Sequence, residues 1–291
     1  MKKKKIVVAI SSFVLLVAIL VLLTFTAFSL RAVEVDFRTS RQYITSSAEE
    51  IIESGKIKKG GTIFFRDKKK YIENIENEFP YINVINIETV FPNKFVIHVS
   101  ERQEVYALKH QSGYYICDEE FRVLRVCDNF ESDQQNPILL TLDSEIGVYK
   151  AGEFIKEGTN PKLYQAIYEN NRSLGVAKEL IKSVDVTKKY DRGIQGEIDV
   201  LSISLFSGQT LTIANYQYAL SYKTYLFFEV YSNMFDMIGK ESLQEDGTKV
   251  ILDENNLKDC EIYIDNFYGE GFDGDHFKEN CYFKIFVQTS D

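Results

Sequence analysis

Residues 83–103 read NVINIETVFPNKFVIHVSERQ. Two runs rich in β-branched residues flank Pro92-Asn93, and the charged pair Glu101-Arg102 closes the segment. Period-two alternation marks two strands, and the Pro-Asn pair marks the turn between them. Ile85, Ile87, Thr89 and Phe91 share a face of the first strand, as Phe95, Ile97 and Val99 do on the second. A two-residue loop would set these stripes on opposite faces, because a slip of one residue turns every side chain over. The loop must therefore hold an odd number of residues. A loop of Pro92-Asn93-Lys94 pairs Phe91 with Phe95 and Thr89 with Ile97, with Asn93 or Lys94 taking any left-handed position. Asn86, Glu88, His98 and Ser100 then face outward.

Upstream of the hairpin, VEVDFR (33–38) alternates strictly and reads as a strand. In TSSAEEIIESGK, Ser46 and Ser47 each precede a Glu by three positions, the start of a capping box, and Gly55 supplies the stop. KIKKGGTIFF turns at Gly60-Gly61 before an apolar stretch. RDKKKYIENIENEF places Tyr71, Ile72, Ile75 and Phe79 on one helical stripe, which Pro80 ends. Strand, helix, helix, strand, strand over 33–103 makes a small two-layer α+β domain.

The N-terminus sets the address. After Lys2–Lys5 comes an uncharged run from Ile6 to Leu30. As a helix it would extend about 37 Å, enough for a hydrocarbon core of about 30 Å. The lysines keep residues 1–5 cytoplasmic, with 6–30 spanning the membrane and everything after Arg31 outside. A cleaved signal peptide is the competing reading, with Ala27-Phe28-Ser29 as its cleavage site. Either way the bulk of the chain is exported. That part carries 29 basic against 43 acidic residues, a net charge of −14; such a surface repels phosphate backbones and anionic lipid headgroups, which argues against nucleic acid as a partner. Cys117, Cys127, Cys260 and Cys281 form no CxxC; pairings 117–127 and 260–281 are open, as are reduced thiols.

From 104 to 291 the chain reads as a second mixed sheet with helices. VYALKH is a strand, and GYYICDEEFRVLRV is a hairpin turning at Asp118–Phe121. PILLTL, IKSVDVTKK, GEIDVLSISLFSGQTLTIA and CEIYIDNF supply further strands, with a turn at Ser207-Gly208. NPKLYQAIYENNRSLG and YALSYKTYLFFEVYSNMF read as helices, and CYFKIFVQ as an edge strand. Tyr216, Tyr218, Tyr222 and Tyr225 recur at helical spacing among Leu220, Phe227 and Phe228, the pattern of a packed face rather than a sugar-stacking platform.

Catalytic signatures are missing. There is no GxSxG, SxxK or HExxH, and His98, His110 and His276 stand apart from any nucleophile or carboxylate motif. DNFYGEGFDGDHFKEN, with Glu270, Asp273 and Asp275, fails the spacing of a calcium-binding EF-hand loop. The chain reads as a non-enzyme with no cofactor and no metal.

The ordered set of stretches KKGGTIFF (58–65), FPYINVINIETVFPNKFVIHVSERQ (79–103) and GYYICDEEFRVLR (113–125), placed after an apolar helix, resembles the POTRA-containing FtsQ/DivIB bacterial cell-division proteins. The family pattern of a Lys-Gly turn before an apolar strand falls on Lys59-Gly60. Its Pro-Tyr-Ile, Pro-Asn hairpin and closing Glu-Arg fall on Pro80-Tyr81-Ile82, Pro92-Asn93 and Glu101-Arg102. Its y-x-x-D-x-x-G-x-v-L is met by Tyr115, Asp118, Val123 and Leu124, with Phe121 where glycine is usual. SGQTLTIAN and CEIYIDNF extend the likeness more loosely, with Ala214 replacing a glycine and Asn266-Phe267 replacing Leu-Arg.

The resemblance implies a non-catalytic divisome scaffold at the division septum. A sheet edge near the C-terminus would receive a strand from FtsL/FtsB (DivIC)-type membrane proteins and link them to septal peptidoglycan synthesis. That edge is expected at Glu261–Tyr268, with Tyr263, Ile264, Asp265, Phe267 and Tyr268 as contact residues. Lys59, Gly60, Tyr81, Pro92, Asn93, Glu101 and Arg102 are expected to serve turns and local charge pairing. The alternative is a membrane-anchored sensory or ligand-binding ectodomain.

Overall fold

The computed structural model describes residues 2–39, 42–110, 113–131, 137–141, 146–155, 180–191, 196–216, 218–244, 246–266 and 281–287. The chain divides into two compact units, 1–103 and 104–291.

The first unit opens with helix α1 (Lys2–Thr26). Its side chains described from Ile10 to Leu22 are all exposed. Among the described residues no helix is long and apolar enough to cross a membrane. The helix stops short of the expected boundary at residue 30. Leu30 is buried in the core of the unit, and its main chain is held by Gly61 O at 2.9 Å and Gly60 N at 2.8 Å. These hydrogen bonds and a β-bridge from Ser29 to Thr62 draw the chain out of the helix into the fold.

Strands β1 (Ala32–Phe37), β2 (Ile82–Val90) and β3 (Lys94–Glu101) form a sheet in the order β1-β3-β2. β1 runs parallel to β3, and β2 runs antiparallel to it. Helices α2 (Ala48–Ser54) and α3 (Lys68–Glu78) complete the βααββ order. Ser47 caps α2 through a reciprocal box with Glu50, as its spacing predicts. Gly55 stops α2 in a right-handed conformation, and the left-handed residue is Lys56. Gly55 instead permits close approach, since a Cβ there would meet Ile75 Cδ1 and Ile57 Cγ1 at 3.2 Å. Ile51, Ile75, Phe95, Ile97 and Val99 are fully enclosed, each worth about 1.5–3 kcal/mol of burial.

The hairpin has the expected odd loop in a different register. Thr89 pairs with Phe95 and Val90 with Lys94, so the loop is Phe91-Pro92-Asn93, with a cis Phe91–Pro92 bond. The register differs from expectation by a step that keeps every side chain on its face, so alternation could not distinguish the two. Neither Asn93 nor Lys94 is left-handed, and Phe91 is exposed. A bulge between Val84 and Asn86 shifts the inward phase to Ile82, Val84 and Ile87 and leaves Ile85 exposed. Residues 62–65, where the family pattern has an apolar strand, keep only the bridge at Thr62 and then bend at Ile63 into a turn at Phe64-Phe65, with Phe65 left-handed.

The second unit is built on a nine-stranded mixed sheet ordered β14-β13-β10-β9-β8-β7-β4-β5-β6. Its strands are β4 (Tyr106–His110), β5 (Gly113–Cys117), β6 (Val123–Cys127), β7 (Ile138–Thr141), β8 (Ile181–Asp191), β9 (Gly196–Leu205), β10 (Thr210–Ala214), β13 (Glu261–Asn266) and β14 (Cys281–Phe286). Helix α4 (Leu220–Ser232) contributes Phe227 and Val230 to the core. β11 (Glu241–Leu243) and β12 (Lys249–Ile251) make a separate small hairpin. The helix expected over 160–175 and most of the acidic loop at 265–280 lie outside the described residues.

Asp118 makes the turn between β5 and β6, its Oδ1 accepting from Glu120 N and Arg122 N at 2.9 Å. Phe121 sits at φ 61°, which explains why glycine suits that position. The phenyl ring compensates by stacking on Tyr106 at 4.7 Å between ring centroids. None of the four cysteines is in a disulfide. Cys117 opposes Val123, and Cys281 opposes Asn266. Burial raises the Cys117 thiol well above its ordinary value and lifts Cys260 to about 11, so both stay protonated and unreactive.

Candidate interaction edge

A partner strand needs an unpaired edge, and the nine-stranded sheet ends in β6 and β14. The β6 edge is partly used by its own chain. Val123 N donates to Glu153 O at 2.9 Å, and Gly152 N donates to Val123 O at 2.7 Å. β14 is paired on one side with β13, from Cys281↔Asn266 to Phe286↔Glu261.

β13, the strand expected to receive a partner, is therefore not an outer strand of the sheet. β13 lies between β10, to which it is parallel, and β14. A partner could reach its main chain only by displacing one of them. Ile264 is fully buried, Asp265 is buried, and Tyr263 is half-buried against Phe286. Phe267 and Tyr268 lie outside the described residues. Sequence read β14 as an edge strand and left open whether it covers β13, because strand pairing depends on contacts remote in the chain.

Asp265 belongs to a buried polar cluster. It accepts from Asn215 Nδ2 at 3.3 Å and from Tyr263 OH at 3.1 Å. Lys223, on α4, is fully enclosed, its Nζ donating to Ala214 O at 2.7 Å and Asn215 O at 3.2 Å. Burial pulls the Lys223 ammonium down to about 8, opposed by the charges of Asp265 and Cys281. The chemistry of the cluster is hydrogen-bond satisfaction at the end of β10. Among the described residues no group of three or more His, Cys, Asp or Glu could hold a metal ion.

The outer side of β14 carries residues that sequence reasoning missed. Ser242 Oγ donates to Ile285 O at 2.5 Å, and Val287 N donates to Gln244 Oε1 at 2.8 Å. Side chains of the β11 strand region thus occupy part of the outward main chain of β14 and its continuation. Outward groups recur every second residue along a strand, so Phe283 also turns its N–H and C=O outward. Nothing local in ESLQ signals this contact.

In the βααββ unit the motif residues make contacts of several kinds. Asn93 O accepts from Arg31 N at 2.8 Å, tying the hairpin loop to the start of β1. Gly60 is left-handed at φ 84°, next to the exposed Lys59, and Pro92 is exposed in the loop. Tyr81 stacks on Tyr43 at 5.1 Å. Glu101 is buried, and its carboxylate accepts from Gln42 N (2.9 Å), Tyr43 N (2.6 Å) and Ile44 N (2.8 Å). Arg102 pairs with Glu76 of α3 at 3.2 Å. A profile of the POTRA domain, FtsQ-type, matches residues 29–102. Residues 29–102 are an FtsQ-type POTRA domain.

The POTRA match begins at Ser29, the bridge to Thr62, and ends at Arg102, the pair with Glu76. The chain is also similar to cell division proteins DivIB. It is 37% identical over 82 residues to that of Clostridium acetobutylicum, covering 28% of this chain and 32% of the relative. It is 34% identical over 121 residues to that of Clostridium tetani, covering 41% and 43%. The protein of Clostridium botulinum strain Hall is 32% identical over 117 residues, covering 40% and 43%. The matched stretches thus span 32–43% of these relatives' own length, and the chain is their distant homologue.

The POTRA sheet also has an outer charged face. His98 faces away from the core, as expected, but it is buried among charged neighbours instead of lying exposed. Its Nδ1 lies 2.8 Å from Asp36 Oδ2 and its Nε2 lies 3.0 Å from Glu88 Oε2. Arg38 Nε closes the group on Asp36 at 2.7 Å. Hydrogen bonds to Glu88 and then Asp36 raise the imidazole above its ordinary value, against desolvation and the Arg38 charge.

Proposed function

We propose that the chain is a non-catalytic divisome scaffold of the DivIB/FtsQ type. In this reading α1 anchors it as a single-pass protein with a cytoplasmic N-terminus, and both units lie outside at the septum. It links FtsL/FtsB (DivIC)-type membrane division proteins to septal peptidoglycan synthesis. The FtsQ-type POTRA domain, entered two residues after α1 ends, carries this reading. The outer side of β14 supports strand addition as the docking mode, since backbone groups there can be completed by another chain.

The test is fluorescence localisation of an N-terminally tagged full chain in dividing cells, with recovery of membrane partners from the same cells. The tagged chain should concentrate at midcell during septation; uniform envelope signal through the cycle would remove the septal assignment. Phe283→Pro removes an outward N–H of β14 without taking a ladder bond from β13. We expect at least a tenfold loss of partner recovery with septal position reduced. Undiminished recovery from a folded Phe283→Pro chain would exclude this edge.

A further inference from the structure

We infer that the membrane-proximal rim of the POTRA domain, built from Phe28, Phe64, Phe65 and Phe91 beside the Lys58–Arg66 turn, is a docking surface for an anionic lipid bilayer. This rests on the reading of α1 as a membrane span.

Three observations carry it. The first is position. α1 ends at Thr26, and only Ala27 separates it from Phe28. Phe28 O accepts from Ile63 N at 2.8 Å, which fixes the 60–65 turn at the exit of the helix. An anchor of this length would leave that exit at the headgroup level.

The second is exposed apolar surface. Phe28 lies 5.4 Å from Phe64 and 6.3 Å from Phe91, and Phe64 lies 6.5 Å from Phe65, all between ring centroids. The four rings are thus continuous, yet Phe65 is wholly exposed and Phe91 is 62% exposed. Phe65 is also left-handed at φ 59°, a conformation a bulky side chain seldom adopts. An aromatic held in water on such a backbone gains little from its own domain. Clustered exposed aromatics of this kind mark a contact surface.

The third is charge. Residues 56–70 carry seven Lys or Arg against one acid, Asp67, in a chain of net charge −9. Lys68 is turned inward onto Ile87 O and Thr89 Oγ1. Lys58 and Lys59 are exposed. Arg66 spans the turn, donating to Thr62 O at 2.7 Å and Lys58 O at 3.3 Å, and also to Gly60 O. Aromatics flanked by cations fit the boundary between acyl chains and anionic headgroups. The acidic balance of the rest of the chain would confine this attraction to the rim.

The absence of tryptophan makes the test direct. Three single-tryptophan full chains, Leu16→Trp, Phe65→Trp and Ile85→Trp, are reconstituted in phosphatidylglycerol vesicles, with and without acyl-chain bromination, and in phosphatidylcholine equivalents. Leu16 lies in the middle of α1, and Ile85 is exposed on β2 six residues before Phe91. Along a strand that is about 20 Å from the rim.

Bromolipid should quench Leu16→Trp in both lipids. It should quench Phe65→Trp at least threefold more in phosphatidylglycerol than in phosphatidylcholine, and leave Ile85→Trp unquenched. Lys58→Glu/Lys59→Glu should cut the Phe65→Trp signal at least twofold. Quenching of Leu16→Trp with none at Phe65→Trp overturns the docking surface and leaves the anchor standing. Equal quenching at Phe65→Trp and Ile85→Trp overturns it as unselective adhesion. Quenching at Phe65→Trp alone supports the surface and removes the anchor, and quenching at none removes both. Phe91→Trp serves in place of Phe65→Trp if that chain misfolds.

Discussion

Each unit of the molecule encloses a charge, and they do it in opposite ways. In the POTRA domain the carboxylate of Glu101, the last residue of the paired strand β3, takes up the N–H groups of Gln42, Tyr43 and Ile44. In the larger sheet the Lys223 ammonium takes up the C=O groups of Ala214 and Asn215, where β10 ends. Both complete main chain that no sheet or helix completes. The anion organises a segment outside regular structure; the cation terminates a strand under a helix. A buried charge satisfied by backbone dipoles is therefore a connector in this chain, and removing it strips partners from several main-chain groups together.

The largest effect should come from Glu101→Ala. It leaves the N–H groups of residues 42–44 without their acceptor, and we expect a loss of about 3–4 kcal/mol in chemical denaturation of the full chain. Hydrogen exchange should locate the damage there, with loss of protection at Tyr43 and Ile44. A loss below about 1 kcal/mol would mean that water replaces the carboxylate freely and would end the comparison with Lys223.

Lys223 supplies a pH signature. Its folded value of about 8 lies below its ordinary 10.5, so the unfolded chain binds the proton more tightly. The penalty is complete below pH about 8 and is relieved as pH rises toward about 10.5. Wild type relative to Lys223→Met should therefore gain stability across that window, by about 3 kcal/mol at most. Asn215 and Tyr263 continue to donate to Asp265 in the variant. A flat difference between the two chains would show that the ammonium titrates as if solvated.

The smallest effect belongs to His98, whose partners are surface carboxylates. Its folded value is raised, so its contribution is complete below the ordinary value of about 6.5 and fades as pH climbs through the raised one. Thermal unfolding should show the advantage of wild type over His98→Gln shrinking from pH about 5.5 to 8. An advantage that grows with pH would reverse the assigned roles of Asp36 and Glu88.

Much of the POTRA domain was legible because its signals are local. Ser47 and Glu50 announce a cap within one turn of helix, and Phe95, Ile97 and Val99 announce their face by parity alone. The bulge at Ile85 was not legible, since one extra residue in an alternating run has no composition of its own. The same limit hid the hairpin register. Phe121 shows the opposite case, where a residue unexpected in its turn is explained only by the Tyr106 ring stacked on it. In the candidate edge, sequence identified both β13 and β14 as strands. β14 was also read as an edge, and assembly added its pairing with β13 and the contacts of Ser242 and Gln244 on its outer side.

By itself, then, the sequence determined the βααββ order, the core face of β3, the apolar helix ahead of them and the strands of the larger sheet. Each follows from periodicity, caps and turn residues within about a dozen positions. The tertiary structure alone decided that β14 pairs with β13, where the hairpin register falls, and which backbone groups Glu101 and Lys223 complete. The Glu101 partners lie 57–59 residues away, and the Ser242–Ile285 bond spans 43. Such contacts are chosen by the packing of the whole unit, for which no short stretch of chain carries a signal.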